Sequence, residues 1–211
     1  MLNDAVEPAS AGRSSVLRTF GEFLRLAAVA AAIALPIRYF VAQPFIVRGA
    51  SMVPNFEDRE YLVIDEFSFF FREPKRGEVV VFRYPLSCQP VSGWRAAAVR
   101  LIGPVNCPEY FIKRIVALPG ESVEAREDGV YITNEDHPDG FRLDEPYLPP
   151  DTSHRPASPI ALGPSEYAVF GDNRAASSDS RNWGALDRGF ITGRAIFRAW
   201  PPSRFGVLGN P

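Results

Sequence analysis

Three short segments of this 211-residue chain combine residue types that could catalyse a hydrolytic reaction. The first, at residues 49–54, reads G-A-S-M-V-P, so that small residues flank Ser51. A serine in such a turn can expose its hydroxyl, which becomes a nucleophile once a neighbouring base takes its proton. The alternative is an ordinary turn. The proline at position 54 excludes the S-x-x-K arrangement of penicillin-binding proteins.

The second segment could supply the base. Residues 110–117 read Y-F-I-K-R-I-V-A and are followed by L-P-G-E. In a strand, alternate residues share one face, which puts Lys113 on the same face as Phe111 and Ile115. A lysine among apolar groups loses hydration, its pKa falls, and it can act as a general base near neutral pH. The alternative is a lysine at the rim of a sheet with its ammonium group in water.

The third segment, Gly171–Gly184, is called the polar loop below and reads G-D-N-R-A-A-S-S-D-S-R-N-W-G. Its aspartates and arginines are spaced so that they can form ion pairs, and its hydroxyls can order a buried polar network. The alternative is a solvated loop. Because the charges are so dense and directly follow an apolar stretch, we expect a structured, functional loop.

The elements that position these segments are predicted to be strands. Short β-branched and aromatic stretches alternate with Gly, Pro and Asp, a pattern typical of antiparallel β proteins. We therefore predict a mainly β fold with antiparallel, barrel-like sheets and two inserts, residues 86–109 and 134–160. The predicted strands are Tyr61–Ile64, Glu78–Tyr84, Tyr110–Ala117, Val130–Thr133, Glu166–Phe170 and Ala195–Trp200.

The N-terminal region indicates a membrane anchor. Residues 1–19 are polar and are predicted to be a disordered cytoplasmic tail. A helix over residues 26–47 would be roughly 33 Å long, enough for a hydrocarbon core of roughly 30 Å. We predict one transmembrane helix at residues 20–43, followed by an extracytoplasmic β catalytic domain at residues 44–211.

The anchor prediction has two alternatives. Pro36 and Arg38 interrupt the apolar run, which in its cleanest part is only as long as the core of a signal peptide. No A-x-A cleavage site follows, however, and the sequence shows no second apolar helix against which a buried one could pack. In the anchor reading, Arg38 extends to the outer interface, and the arginines before the run favour a cytoplasmic N-terminus.

Composition excludes several other classes of function. The net charge of -2 argues against a nucleic-acid partner. The two histidines lie in a Pro-rich stretch and the two cysteines form no C-x-x-C motif, so we predict neither a metal site nor a cofactor. Outside the cytoplasm, Cys88 and Cys107 could form a disulfide closing a loop of about 20 residues, worth roughly 3 kcal/mol. Free thiols are the alternative.

Taken together, these segments resemble the type I signal peptidases. The resemblance covers roughly residues 36–84 and 110–200, and the order of motifs matches, with R-G-E-V-V-V-F at residues 76–82 between the serine and lysine segments. It implies a mostly β protease, anchored by a single pass in the bacterial plasma membrane. Its active domain would lie outside the cytoplasm and would cut the signal peptides of exported preproteins after Ala-X-Ala. The implied partners are these peptides and the lipid bilayer.

The resemblance also assigns roles to residues. Ser51 would be the nucleophile and Lys113 its general base. Ser177 would hydrogen-bond the lysine, and Asp179 with Arg181 would brace the site. Asp172 and Arg114 are matched as further supporting residues. The implied substrate pockets are lined by apolar residues, namely Phe45, Val47, Met52, Phe56, Val81 and Ile112.

Two positions depart from the family pattern. Gly49 stands where many members have a serine whose hydroxyl helps to bind the oxyanion, and Asn55 replaces a threonine. The oxyanion would then depend on backbone N–H groups. We expect Gly49→Ser to keep or raise turnover, provided that residue 49 does not lie at positive φ, where any side chain is strained.

Three other functions fit parts of the pattern. A self-cleaving Ser/Lys protease of the repressor type resembles the same core but lacks an anchor and the polar loop. A peptidase dedicated to pilins or to conjugation shares more of the features. An inactive membrane-tethered binding module would be expected to lose the dyad, whereas Ser51 and Lys113 are both present.

Overall fold

A computed structural model describes residues 11–36, 43–87 and 109–209 of the chain, which divides into two compact units at residue 41. The first unit contains helix α1, Ala11–Pro36. The helix begins within the predicted disordered tail, because residues 13–35 contain no proline and are rich in good helix formers such as Ala, Leu and Arg. Among the residues described, no helix is both long enough and apolar enough to cross a membrane.

Several predictions fall outside the described residues. These include the last part of the proposed anchor at residues 37–42, with Arg38, and most of the insert at residues 86–109. Cys88 and Cys107 also lie outside the described ranges, so the disulfide stays a prediction.

The second unit is mainly β and antiparallel, as predicted. Its strands are β1 Gln43–Ile46, β2 Tyr61–Asp65, β3 Val79–Arg83, β4 Tyr110–Ala117, β5 Ser122–Arg126, β6 Gly129–Thr133, β7 Phe141–Arg142, β8 Ala157–Ala161, β9 Glu166–Phe170, β10 Leu186–Asp187, β11 Ile191–Trp200 and β12 Gly206–Val207. A one-turn helix, α2, spans Ser180–Trp183 inside the polar loop. Short 3₁₀ helices lie at Phe67–Phe70, Pro85–Ser87, Arg188–Phe190 and Pro202–Arg204.

The strands of the described residues form two sheets. The larger has the order β1-β2-β11-β3-β4-β9-β10, with β12 paired to β11, and the smaller has the order β7-β6-β5-β8. All the pairs are antiparallel. Each of the six predicted strands is present, although β11 starts at Ile191 rather than Ala195.

The main sequence-based error concerns residues 134–160. Predicted as a surface excursion, this segment contains β7 and the start of β8, and both strands belong to the smaller sheet. Strand β8 was missed because it contains Pro159, and proline argues against a strand except at the edge of a sheet. Among the described strands β8 pairs only with β5, so it is such an edge strand.

Among the described residues of the β unit, the buried apolar side chains form three clusters. One lies in the smaller sheet and under β9, and another packs between β3, β4, β9 and β11. The third, called the cleft cluster below, consists of Val47, Met52, Phe56, Leu62, Ile64, Val79, Val81 and Ile112. Burying a side chain of this size contributes about 1.5–3 kcal/mol. The cleft cluster therefore fixes the segment that follows β1 against β3 and β4.

Candidate active site

Ser51 and Lys113 are in direct contact. Lys113 Nζ donates a hydrogen bond to Ser51 Oγ over 2.7 Å and another to the Ile112 carbonyl over 2.9 Å. Its side chain lies 5.4 Å from the centre of the Phe111 ring, and the residue is only 4% exposed. Burial lowers the pKa of Lys113 to about 8, although nearby aspartates pull the pKa upward. Lys113 therefore becomes neutral at much lower pH than an exposed lysine.

The two residues reach each other because the larger sheet curls. Ser51 follows β1 and Lys113 lies on β4, and β2, β11 and β3 separate these strands in the sheet. Four strand spacings would put β1 and β4 about 19 Å apart in a flat sheet. The short contact between the two side chains therefore requires strong curvature, as in barrel-like sheets.

Residues 47–56, called the serine turn below, carry the nucleophile. Met52 and Phe56 are buried in the cleft cluster, and the Phe56 N–H donates to the Met52 carbonyl over 2.8 Å. Residues 48–50 are exposed, whereas Ser51 is half-buried. The apolar residues hold the end of the turn in the core, whereas residues 48–50 remain accessible from solvent.

The polar loop holds the serine turn by its backbone. Asn173 N–H donates to the Ser51 carbonyl over 3.0 Å, and Asn173 Nδ2 donates to the Ala50 carbonyl over 3.1 Å. Gly171 makes this approach possible, because a Cβ at position 171 would overlap the Ser51 carbonyl and the Ser177 side chain. Glycine is required there by space rather than by backbone angles.

Asp179 and Arg181 brace the polar loop from inside. Arg181 Nε and Nη2 donate to the two Asp179 carboxylate oxygens over 2.8 and 2.7 Å, and Gly171 N–H donates to Asp179 Oδ2. Burial opposes ionisation of Asp179, but these bonds outweigh burial and hold its pKa below the usual range. Asp179 also caps α2 in a capping box with Asn182. The pair thus fixes both the glycine contact and the one-turn helix.

The expected bond between Ser177 and Lys113 is absent. Lys113 donates to Ser51 and Ile112 instead, and the buried Ser177 hydroxyl makes no hydrogen bond to the lysine. Ser177 lies instead against Gly171, which puts it at the site without joining it to the base.

Asp172 and Arg114 form a second buried ion pair. Arg114 Nε and Nη2 donate to Asp172 over 2.9 and 2.7 Å, and Asp172 also accepts a hydrogen bond from Asn55 Nδ2 over 2.8 Å. The Arg114 guanidinium lies 3.9 Å from the centre of the Tyr147 ring. Asn55, where the family pattern has threonine, therefore ties the serine turn to this pair.

The site also contains residues that sequence reasoning missed. Arg174 in the polar loop forms a buried ion pair with Glu145, whose carboxylate also accepts a hydrogen bond from the Tyr147 hydroxyl. Glu145 and Tyr147 belong to the segment predicted to be a surface excursion. No local pattern marks them, because their importance comes from partners that are distant in sequence.

A cleft of about 810 Å³ opens beside Ser51 and Lys113, between β1 and β4. Of the six residues predicted to line substrate pockets, Phe45 and Ile112 line the cleft directly. The other four, Val47, Met52, Phe56 and Val81, are buried in the cleft cluster. The predicted pocket residues thus lie together, with two at the surface of the cleft and four in the core.

The structure gives the sign of φ at Gly49, which the sequence left open. Its φ is 83°, in the left-handed region that favours glycine, and its N–H donates to Asp58 Oδ1 over 2.8 Å. A Cβ would meet nothing within 4 Å, so the only obstacle to a side chain is backbone strain. Gly49→Ser was expected to keep or raise turnover only if φ at residue 49 is not positive. Because φ is positive, that expectation does not apply.

Comparison with known proteins decides the family. The family model for signal peptidase, peptidase S26, matches residues 20–200. The chain belongs to this peptidase family. A probable signal peptidase I-1 from Synechocystis sp. is 37% identical over 90% of this chain and 87% of its own length. Signal peptidase I from Leptolyngbya laminosa is 35% identical over 90% of this chain and 84% of its own.

The family assignment confirms the predicted enzyme class, a signal peptidase I hydrolase. A crystal structure of a signal peptidase I from Enterococcus faecalis is 23% identical and covers 58% of this chain and 97% of its own, with a TM-score of 0.40. In the part of the chain that the structure describes, no group of His, Cys, Asp and Glu residues could hold a metal ion.

Proposed function

We propose that this signal peptidase family member is a membrane-bound serine endopeptidase that cleaves exported preproteins after Ala-X-Ala with a Ser51/Lys113 dyad. The observation that carries the proposal is the 2.7 Å hydrogen bond between Lys113 Nζ and Ser51 Oγ. A buried lysine with a pKa of about 8 is a suitable base for a serine hydroxyl.

The chemistry follows the logic of serine proteases with lysine in place of histidine. Neutral Lys113 accepts the hydroxyl proton as Ser51 Oγ attacks the scissile carbonyl carbon. The carbon–nitrogen bond then breaks, and Lys113 returns the proton to the leaving amine. A water molecule, deprotonated by Lys113, hydrolyses the ester and releases the signal peptide as a carboxylate with Ser51 restored.

The developing oxyanion needs hydrogen-bond donors. Gly49 has no side-chain donor, and its N–H is bonded to Asp58. The Ser51 N–H makes no hydrogen bond to another described residue, which makes it the candidate donor. This arrangement relies on backbone groups rather than on a serine hydroxyl at position 49.

The substrate would bind as an extended strand in the cleft. Within the described part of the chain, β1 is paired on one side only, by β2, and residues 110–113 of β4 are paired only by β3. Their unpaired edges can bond a peptide backbone from both sides. Every second side chain would face the cleft cluster, where only small residues such as alanine fit against packed apolar groups.

The proposed location is the bacterial plasma membrane, with one pass and the β unit outside the cytoplasm. Arginines precede an apolar stretch that begins within α1, and the apolar side chains Phe20, Phe23, Leu24, Leu26 and Val29 of this helix are exposed. Deleting residues 1–35 is expected to release the protein from membranes washed with carbonate, while the full chain stays bound. A truncated protein that still resists carbonate would contradict the proposed anchor.

The dyad is tested by substitution at both positions. In detergent, Ser51→Ala and Lys113→Ala are each expected to abolish cleavage of a model preprotein while circular dichroism shows an unchanged fold. Lys113→Arg is expected to fail as well, because arginine stays protonated. Arg126→Ala serves as the control, since Arg126 is exposed on β5 and pairs only with Glu124 among the described carboxylates. Cleavage by Lys113→Ala above a few per cent of wild type would overturn the assignment.

The pH profile gives an independent test. Lys113 acts only when neutral, and its pKa is lowered to about 8. Turnover is therefore expected to rise with pH through about 8, and about a tenth of the enzyme would be active at pH 7. A rate that is flat from pH 6 to 10 would contradict a lysine base.

A further inference from the structure

Two charged residues of the cleft lining, Arg48 and Glu109, have no role in the chemistry described above, and Arg48 is the one that adjoins the serine turn. Arg48 lines the cleft beside Gly49, Ala50 and Ser51 and is exposed. Among the residues described, no carboxylate lies within ion-pair distance of its guanidinium, although most other arginines of the β unit are paired. An unpaired cation on the wall of a peptide cleft is available to interact with a charged side chain of a bound peptide.

The direction of Arg48 follows from the backbone. Val47 N–H donates to the Glu60 carbonyl and Arg59 N–H donates to the Val47 carbonyl, both over 2.9 Å, so the pairing with the β2 side continues beyond Ile46. Val47 is buried, whereas Ile46 and Arg48 are exposed. Strand alternation therefore puts Arg48 in the outward row, opposite to the cleft cluster.

A peptide bound along β1 has the same alternation. If the residues on either side of X in Ala-X-Ala face the cleft cluster, then X itself points outward, beside the row that ends in Arg48. We infer that Arg48 is a specificity-determining residue that favours an acidic side chain at X, the second residue before the scissile bond, and disfavours a basic one. This inference rests on the proposed function and adds a charge preference to it.

The expected size of the effect follows from exposed ion pairs. Such a pair changes an equilibrium constant by at most about fivefold, and repulsion of a lysine acts by a similar factor. We therefore expect kcat/KM for Asp at X to exceed that for Lys by about tenfold at low salt. The ratio should shrink to about two in 1 M salt, where charges are screened beyond about 3 Å.

The experiment uses the full chain in detergent and fluorescent peptides that differ only in Asp, Ala or Lys at X. The Asp-to-Lys ratio of kcat/KM is compared within each variant, so that any general loss of activity cancels. Wild type is expected to give a ratio of about ten, Arg48→Gln a ratio near one, and Arg48→Glu an inverted ratio. Arg126→Gln removes an exposed charge outside the cleft and is expected to keep the wild-type ratio.

A binding measurement separates this inference from the proposed function. Fluorescence anisotropy of the same peptides on Ser51→Ala, with and without Arg48→Gln, reports the charge preference without any cleavage. If Ser51→Ala binds the Asp peptide more tightly than the Lys peptide and Arg48→Gln removes this difference, the inference is supported. That holds even if the protein with Ser51 intact cuts no peptide, in which case only the proposed function has failed. Equal affinity and equal cleavage of the Asp and Lys peptides by proteins that retain Arg48 would overturn the role of Arg48.

Discussion

The serine turn carries the nucleophile and the polar loop braces it, but different forces hold the two segments. The polar loop is held by buried ion pairs, Asp179 with Arg181 and Arg174 with Glu145, and its charged groups are almost inaccessible to water. The serine turn has three buried apolar anchors, Val47, Met52 and Phe56, and an exposed stretch at residues 48–50, and it is positioned by hydrogen bonds to backbone carbonyls. The nucleophile therefore lies on the less constrained of the two segments.

This difference suggests that the polar loop positions the serine turn. A buried ion pair is costly to break, because the remaining charge loses its partner in a poorly solvated place. The polar loop can therefore act as a rigid template, against which Asn173 and Gly171 align the backbone of Ser51. Apart from the dyad itself, changes at the contact between the two segments should cost most activity, and changes elsewhere in the serine turn should cost less.

The largest effect is expected where the two segments touch. Gly171→Ala would push the new methyl group into the Ser51 carbonyl and Ser177, and so displace the nucleophile from Lys113. We expect kcat to fall more than about a hundredfold, since small misplacements are costly in catalysis. Gly206→Ala is the matched control, because a Cβ there meets nothing within 4 Å. Activity of Gly171→Ala within about threefold of wild type would show that the template does not set the position of Ser51.

The next effect concerns the template itself. Glu145→Gln leaves the buried Arg174 without its carboxylate, which should lower the free energy of unfolding by about 3–5 kcal/mol and kcat/KM by about tenfold. Urea denaturation and kinetics measure the two quantities. Glu124→Gln removes an exposed carboxylate from a pair with Arg126 and should change neither appreciably. If both variants were equally stable, the buried pair could not be what holds the polar loop.

A smaller effect is expected in the exposed part of the serine turn, residues 48–50. Gly49 has a φ of 83°, so Gly49→Ala and Gly49→Ser should each cost about 1–2 kcal/mol of strain and about five- to tenfold in kcat. Equal losses in the two variants would assign the effect to the backbone. Higher turnover in Gly49→Ser than in Gly49→Ala would instead show that the hydroxyl supplies a missing oxyanion donor.

The smallest effect is expected from a single side-chain bond between the segments. Asn173→Ala removes the bond to the Ala50 carbonyl but keeps the backbone bond to Ser51. A neutral hydrogen bond contributes about 1 kcal/mol, so kcat/KM should fall only a few-fold. A loss as large as that of Gly171→Ala would mean that the side chain, rather than the close backbone approach, aligns the serine turn.

The sequence predicted the parts of this molecule that depend on local patterns. The alternation of β4 identified Lys113 as a lysine in apolar surroundings, and the density of charge in the polar loop indicated internal ion pairs. Glu145 escaped notice because its partner, Arg174, is far away in sequence and nothing in the local pattern indicates burial. The φ of Gly49 was equally hidden, since glycine is compatible with either sign.

The bulges in β11 offer a route by which evolution could change the size of the substrate side chains that the cleft admits. This strand lies between the two walls of the cleft, and its register shifts at residues 191–193, 195–197 and 198–200. Bulges increase local bend and twist, so they set how far the sheet curls before β1 and β4 face each other. The aperture at the dyad is thus governed from a strand whose residues do not line the cleft. An insertion or deletion at one of these bulges could retune which residues are admitted while leaving every catalytic and cleft-lining residue unchanged.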